Sequence, residues 1–253
     1  MQAGEFLRFK KNEFILQGGA NEVSSVLTNN TKLHSPPDPA NLKAAFVIPI
    51  WYDKNEGKYY ALFGIDKADL NDKTKKKQIC PLGGMRENNE KAVGAAFREF
   101  FEETINAKIG NNSTKTMATY SKDNGHHLKY VCNDQVYYIV NANIFSNSAF
   151  NVNGDVNGTI INFNNFRNNS GGLDMPNFIL NRPIEPRIPH KGLYEVHKLI
   201  GIPIADIKHL LNEHIKNTGS ASNFRILDYV VRGDLKNNIL RYGILDHFSN
   251  VQN

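Results

Sequence analysis

Residues 81–106, PLGGMRENNEKAVGAAFREFFEETIN, gather five carboxylates around Arg98, and no other stretch restricts the fold and chemistry of this chain as much. From Val93 to Ile105, the residues Val93, Ala96, Phe97, Phe100 and Phe101 recur at helical spacing and predict an amphipathic helix that packs them inward. The opposite side of the wheel carries Glu99, Glu102 and Glu103, related as i, i+3 and i+4, so three acids rise from neighbouring positions. Like charges at that spacing repel by roughly a few tenths of a kcal/mol per pair, so the arrangement calls for cations. Oxygen donors are hard ligands that favour Mg2+ or Mn2+ over zinc, and Mg2+ commonly completes its shell with water and substrate phosphate. Phosphate chemistry follows. A solvated surface helix is the plainer alternative, but such a helix interleaves lysine for i, i+4 pairing, and none stands between Lys91 and Lys108.

The residues around this helix extend the site. Arg98 can reach Glu102 one turn on, or hold Glu99 through forked hydrogen bonds; either way it orients rather than reacts. Glu90 falls on the wrong side of the wheel for the metal face and is expected to approach from the loop before the first turn. Gly83 and Gly84 let the backbone come close to a ligand or offer a carbonyl to a metal.

Gly84, five residues, Glu90, seven residues, then Arg98-Glu99-Phe100-Phe101-Glu102-Glu103 resembles the Nudix box, the signature of the Nudix hydrolases, at every charged position. One departure follows the acids. The family usually places Gly and an aliphatic residue after Glu-Glu-x, where this chain has Ile105 and Asn106; Asn is the next best residue for a left-handed helix end. The resemblance implies an α/β fold, a Nudix-type α/β/α sandwich with a mixed sheet, and hydrolysis of a diphosphate linkage in a nucleoside diphosphate derivative, such as ADP-ribose or a dinucleotide. It implies Mg2+ (or Mn2+) held by Glu99, Glu102 and Glu103 with the Gly83 carbonyl, Arg98 and Glu90 in support, and Glu99, Glu195 or hydroxide on the metal as base. Glu195 stands at the start of the strand expected at 194–204, where several Nudix enzymes carry an extra acid. Hydrolysis of an RNA cap or of nucleoside triphosphates, and a nucleotide- or RNA-binding module without turnover, are the alternatives.

The rest of the 253-residue chain is read around that site. The net charge of +5 and pI near 9.0 suit an anionic partner, a nucleotide first and RNA second, with a second copy of the chain as a further option and no membrane. Two cysteines, Cys80 and Cys132, are too few for a disulfide framework and lack zinc-site spacing. With no secretory or membrane-spanning apolar run, a cytoplasmic protein is expected. Residues 1–40 end in His34-Ser35-Pro36-Pro37-Asp38-Pro39 and read as an appendage and linker. Residues 41–218 read as the Nudix domain. It opens on a hairpin of residues 43–52 and 58–66 and continues through a lysine-rich loop at 67–77 to strands at 115–121, 129–132 and 135–145. The His126-His127 pair reads as a loop feature, and Tyr120, Tyr130, Tyr137 and Tyr138 as core residues or a base-stacking surface. An Asn-, Gly- and Pro-rich insertion around 146–192 is the candidate for substrate selection. A strand at 194–204 leads into a helix at 205–217 with Ile207, Leu210, Leu211 and Ile215 on one face. Residues 219–253 form a C-terminal helical extension on the same domain.

Overall fold

A computed structural model describes residues 20–30, 36–53, 56–66, 78–103, 127–142, 196–226 and 229–249. Strand β1 (Ala44–Asp53) is the axis of a mixed sheet. Its C-terminal half pairs antiparallel with β2 (Lys58–Asp66), from Ile50↔Ala61 to Asp53↔Lys58, and Gly57 takes the left-handed turn between them at φ 65°. The N-terminal half of β1 pairs instead with β4 (Leu82–Met85), from Ala44↔Met85 to Val47↔Leu82. Along its other edge β1 runs parallel to β6 (Gln135–Asn141), which forms a hairpin with β5 (His127–Cys132). On the far side, β2 pairs with β3 (Gln78–Cys80) and with β7 (Val196–Pro203). A short hairpin, β8 (Arg225–Ile226) and β9 (Tyr229–Val231), joins through β9 parallel to β3. Because β1 changes partner midway from β4 to β2, the sheet splits beside β4.

Side chains alternate across the sheet, and the alternation separates two buried layers. Ala44, Phe46, Ile48 and Ile50 of β1, with Ala61, Phe63 and Ile65 of β2, join one apolar cluster. Helix α1 (Ala20–Asn30) contributes Val23 and Leu27 to it, α3 (Ile204–Thr218) contributes Ile207 and Leu211, and α4 (Gly233–Tyr242) contributes Leu235 and Ile239. The interleaved residues Ala45, Val47 and Leu62 are equally buried but belong to the opposite face. There α2 (Ala92–Glu103) lies across β1 and β4.

Several sequence expectations shift. Leu210 is 40% exposed, so the inward stripe of α3 is Ile204, Ile207 and Leu211. His127 opens β5 opposite Val140 rather than standing in a loop. Tyr130, Tyr137 and Tyr138 are buried, and their faces are not presented for stacking on a base. The C-terminal segment read as helical, 219–253, contains β8 and β9 ahead of α4, and those strands are too short to show alternation in sequence. The segment read as an appendage contains α1, with Val23 and Leu27 in the core cluster. No helix among the described residues is long and apolar enough to cross a membrane. Glu195, the lysine-rich loop at 67–77, the strand expected at 115–121 and the insertion at 146–192 lie outside the described residues.

Candidate functional site

The buried stripe of α2 is Ala92, Ala95, Ala96 and Phe100, with Val93 and Phe97 half-buried on its flank. Adding three or four residues at each step carries this stripe from Ala92 and Ala96 through Glu99 to Glu103. Glu99 and Glu103 therefore do not lie opposite the packed side, as the wheel suggests. Glu103 is only 6% exposed.

What admits carboxylates beneath the helix is the glycine pair of β4. A Cβ on Gly84 would stand 2.6 Å from Glu99 Oε2, so Glu99 occupies the space that any other residue would fill. Gly83, at φ 136°, has the carbonyl of Ala45 and Cα of Phe46 where its own Cβ would be, and its N–H donates to Glu103 Oε2 at 2.6 Å. Both glycines are needed for different reasons: Gly84 for side-chain room, Gly83 for a backbone conformation and approach that L residues avoid. Gly83 thus acts here through its N–H, a role the sequence did not suggest.

Arg98 ties the loop to the helix. Its Nη1 donates to Glu99 Oε1 at 2.6 Å, and its Nη2 donates to Glu90 Oε2 at 3.1 Å and to the Met85 carbonyl at 2.9 Å. Arg98 bonds Glu99, one of the two partners open to it from sequence, and Glu90 reaches it from the loop before α2. Burial opposes the guanidinium charge, but hydrogen bonds with Glu90 and Glu99 and their negative charges outweigh it and raise the pKa further. Arg98 is thus a permanent cation. Glu90 folds back over the first helical turn, where Gly94 has no Cβ to meet its Cγ at 3.1 Å.

Two neighbours frame the site. Cys80 is buried beside it, and desolvation followed by the charge of Glu103 pushes its thiol far above the ordinary value. Burial of this kind favours the thiol over the thiolate. Asp38, from the proline-rich segment ahead of β1, accepts the Ala92 N–H at 3.1 Å and pairs with Lys129 of β5 at 2.6 Å. Burial raises its pKa, but Lys129, the Ala92 amide and Lys91 together lower it overall. Sequence reasoning missed this contact because the partners are 54 residues apart.

Glu102 lies in α2, with its side chain outside the described residues. Among the described residues no three His, Cys, Asp or Glu side chains form a metal-holding group. Glu99 and Glu103 nonetheless supply hard oxygen donors from adjacent turns onto adjacent residues of β4. No family model matches this chain, and no curated protein matches it.

Proposed function

We propose that this protein is a Nudix-type hydrolase, built on an α/β/α sandwich, that cleaves the diphosphate linkage of a nucleoside diphosphate derivative such as a nucleotide sugar or dinucleotide. One observation carries the reading: Glu99 and Glu103 are packed against Gly83 and Gly84 while Arg98, held by Glu90 from the loop, fixes Glu99. A plain surface helix has no use for that arrangement. Buried like charges cost stability, and they are retained where an ion or ligand compensates them.

Glu99, Glu102 and Glu103 would hold Mg2+ or Mn2+. The hard donor set fits, and Gly84 leaves the room that the Glu99 carboxylate occupies. Such an ion would supply positive charge to offset the diphosphate and would favour both the attacking water and the leaving phosphate oxygen. The chain's own residues do the positioning. Arg98 holds Glu99 in place through its Nη1, so that Glu99 accepts the proton of a water attacking phosphorus as the bridging P–O bond breaks. Gly83 fixes Glu103 through its N–H without adding a competing side chain. Glu90 holds Arg98 and accepts the Glu87 N–H, so it acts on the site through Arg98 and the loop.

A product-release assay across nucleotide sugars, dinucleotides, nucleoside triphosphates and capped RNA, with Mg2+ present, tests this. Turnover of at least one diphosphate compound and its loss with excess EDTA are expected. Binding without release would leave a nucleotide-binding module, and undiminished activity in EDTA would sink the metal mechanism.

A further inference from the structure

Helix α2 has no cap of its own. The first N–H groups of a helix lack intrahelical partners and are usually met by Ser, Thr, Asp or Asn at the preceding position. Here that position is Lys91, whose carbonyl accepts the first helical bond, from the Ala95 N–H at 3.1 Å, and whose side chain has no acceptor. Gly94 in the first turn weakens the helix further. The acceptor comes from elsewhere: Asp38 Oδ2 takes the Ala92 N–H and brings a negative charge to the positive end of the helix dipole.

Asp38 is itself held. Lys129 Nζ pairs with Asp38 Oδ1 at 2.6 Å and donates to the Pro36 carbonyl at 2.6 Å, and the Lys129 side chain is only 13% exposed. Pro37 and Pro39 restrict the backbone on both sides of Asp38. The Leu42 N–H bonds to the Pro39 carbonyl and the Lys43 N–H to the Asp134 carbonyl, which carries the segment into β1. Residues 36–39 are therefore anchored to β5 and β1, in the sheet that lies beneath α2. At the other end of the helix, Glu103 is bonded to Gly83. A rigid helix held at both ends cannot lift one end without shifting the other.

We propose that Asp38 is a positioning residue of the Glu99–Glu103 site: it fixes the N-terminal end of α2 on the sheet and so keeps the two acids seated on Gly83 and Gly84. The kinetic part of the test rests on the hydrolase reading; the structural part does not. In the full chain, Asp38→Ala should raise amide exchange at Gly83 about five-fold, the factor an ordinary cap is worth. It should lower kcat by a similar factor with KM within about two-fold, because the substrate's own contacts are untouched. Asp38→Asn keeps an acceptor for the Ala92 N–H and should bring both readouts back to within about two-fold of the wild type, since Asn caps as well as Asp. If Asp38→Ala speeds exchange only at residues 92–94 and leaves Gly83 and kcat unchanged, Asp38 is a local cap and the proposal falls. If Asp38→Ala does not fold, an Asp38→Asn protein with Gly83 exchange raised as much as in Lys129→Met would overturn it, because Asn should retain the cap. A wild type that turns over no diphosphate removes the hydrolase reading, while the Gly83 exchange still decides the positioning role.

Discussion

The two faces of the central sheet are filled by different means. On one, Phe46, Ile48, Ile50, Phe63 and Ile65 meet apolar side chains from α1, α3 and α4. On the other, α2 alternates small residues and Phe100 with Glu99 and Glu103, and β4 answers with glycines rather than side chains. Burying apolar area stabilises by about 25 cal/mol per Å2, while buried carboxylates give up hydration that their hydrogen bonds only partly restore. The first face therefore carries much of the stability, and the second carries the acids on which the proposed chemistry rests. A site of this kind depends on the rigid sheet that the first face secures.

Phe63 is 1% exposed in the apolar cluster, and its loss should have the largest effect. Phe63→Ala should cost about 3–5 kcal/mol in denaturant unfolding. Turnover per folded molecule should stay close to normal, and a loss well beyond the unfolded fraction would show that the two faces are not separable.

Glu103→Gln should do the reverse. The amide oxygen can still accept the Gly83 N–H, but a charge is gone, so kcat should fall by at least about 10²-fold. The metal-free protein should keep its stability to within about 1 kcal/mol, since lost charge-assisted bonding is offset by relief of repulsion with neighbouring acids. Near-normal turnover in Glu103→Gln would return α2 to the role of a charged packing helix.

The existence of α2 and the order of its acids were legible in the sequence, because a twelve-residue amphipathic helix shows its period within itself. The direction the acids face was not. Phe97 and Phe101 pull the apparent apolar side toward a flank, and a wheel contains nothing of Gly83 and Gly84, which make room for Glu99 and Glu103 from another strand. The Arg98 bond to Glu99 was one of two readings open from spacing alone, while the Asp38 contact with Ala92 depends on chain geometry with no local signal. β1 and β2 were readable from their apolar runs, but the exchange of β1 between β4 and β2 is a tertiary event that no run of residues records.

Gly84→Ala sharpens the division between the faces with a smaller effect. The added Cβ would meet the Glu99 carboxylate at 2.6 Å, the far end of a flexible side chain, so the fold can yield at little cost. The carboxylate cannot stay in place. A loss of about ten-fold in kcat with nearly unchanged melting is expected, in keeping with the sensitivity of reacting geometry to small displacements. Unchanged kcat would mean that the seat of Glu99 on β4 is incidental.

The smallest effect should appear in the pH dependence of stability, through Asp38. Its carboxyl is lowered below the ordinary value because the Lys129 contact, the Ala92 amide and Lys91 outweigh the opposing effect of burial. A depressed acid binds its proton more weakly in the folded chain than in the unfolded one, so ionised Asp38 favours folding. That contribution is complete above the unfolded value of about 3.9 and fades as pH falls through the lower folded value. Asp38→Asn keeps an acceptor for the helix but cannot titrate. Urea unfolding of both proteins from about pH 6 to about pH 2.5 should therefore show a constant wild-type advantage that shrinks only at the acid end. Parallel curves over the whole range would mean that the charge on Asp38 does nothing for α2, leaving the hydrogen bond to Ala92 as its whole contribution.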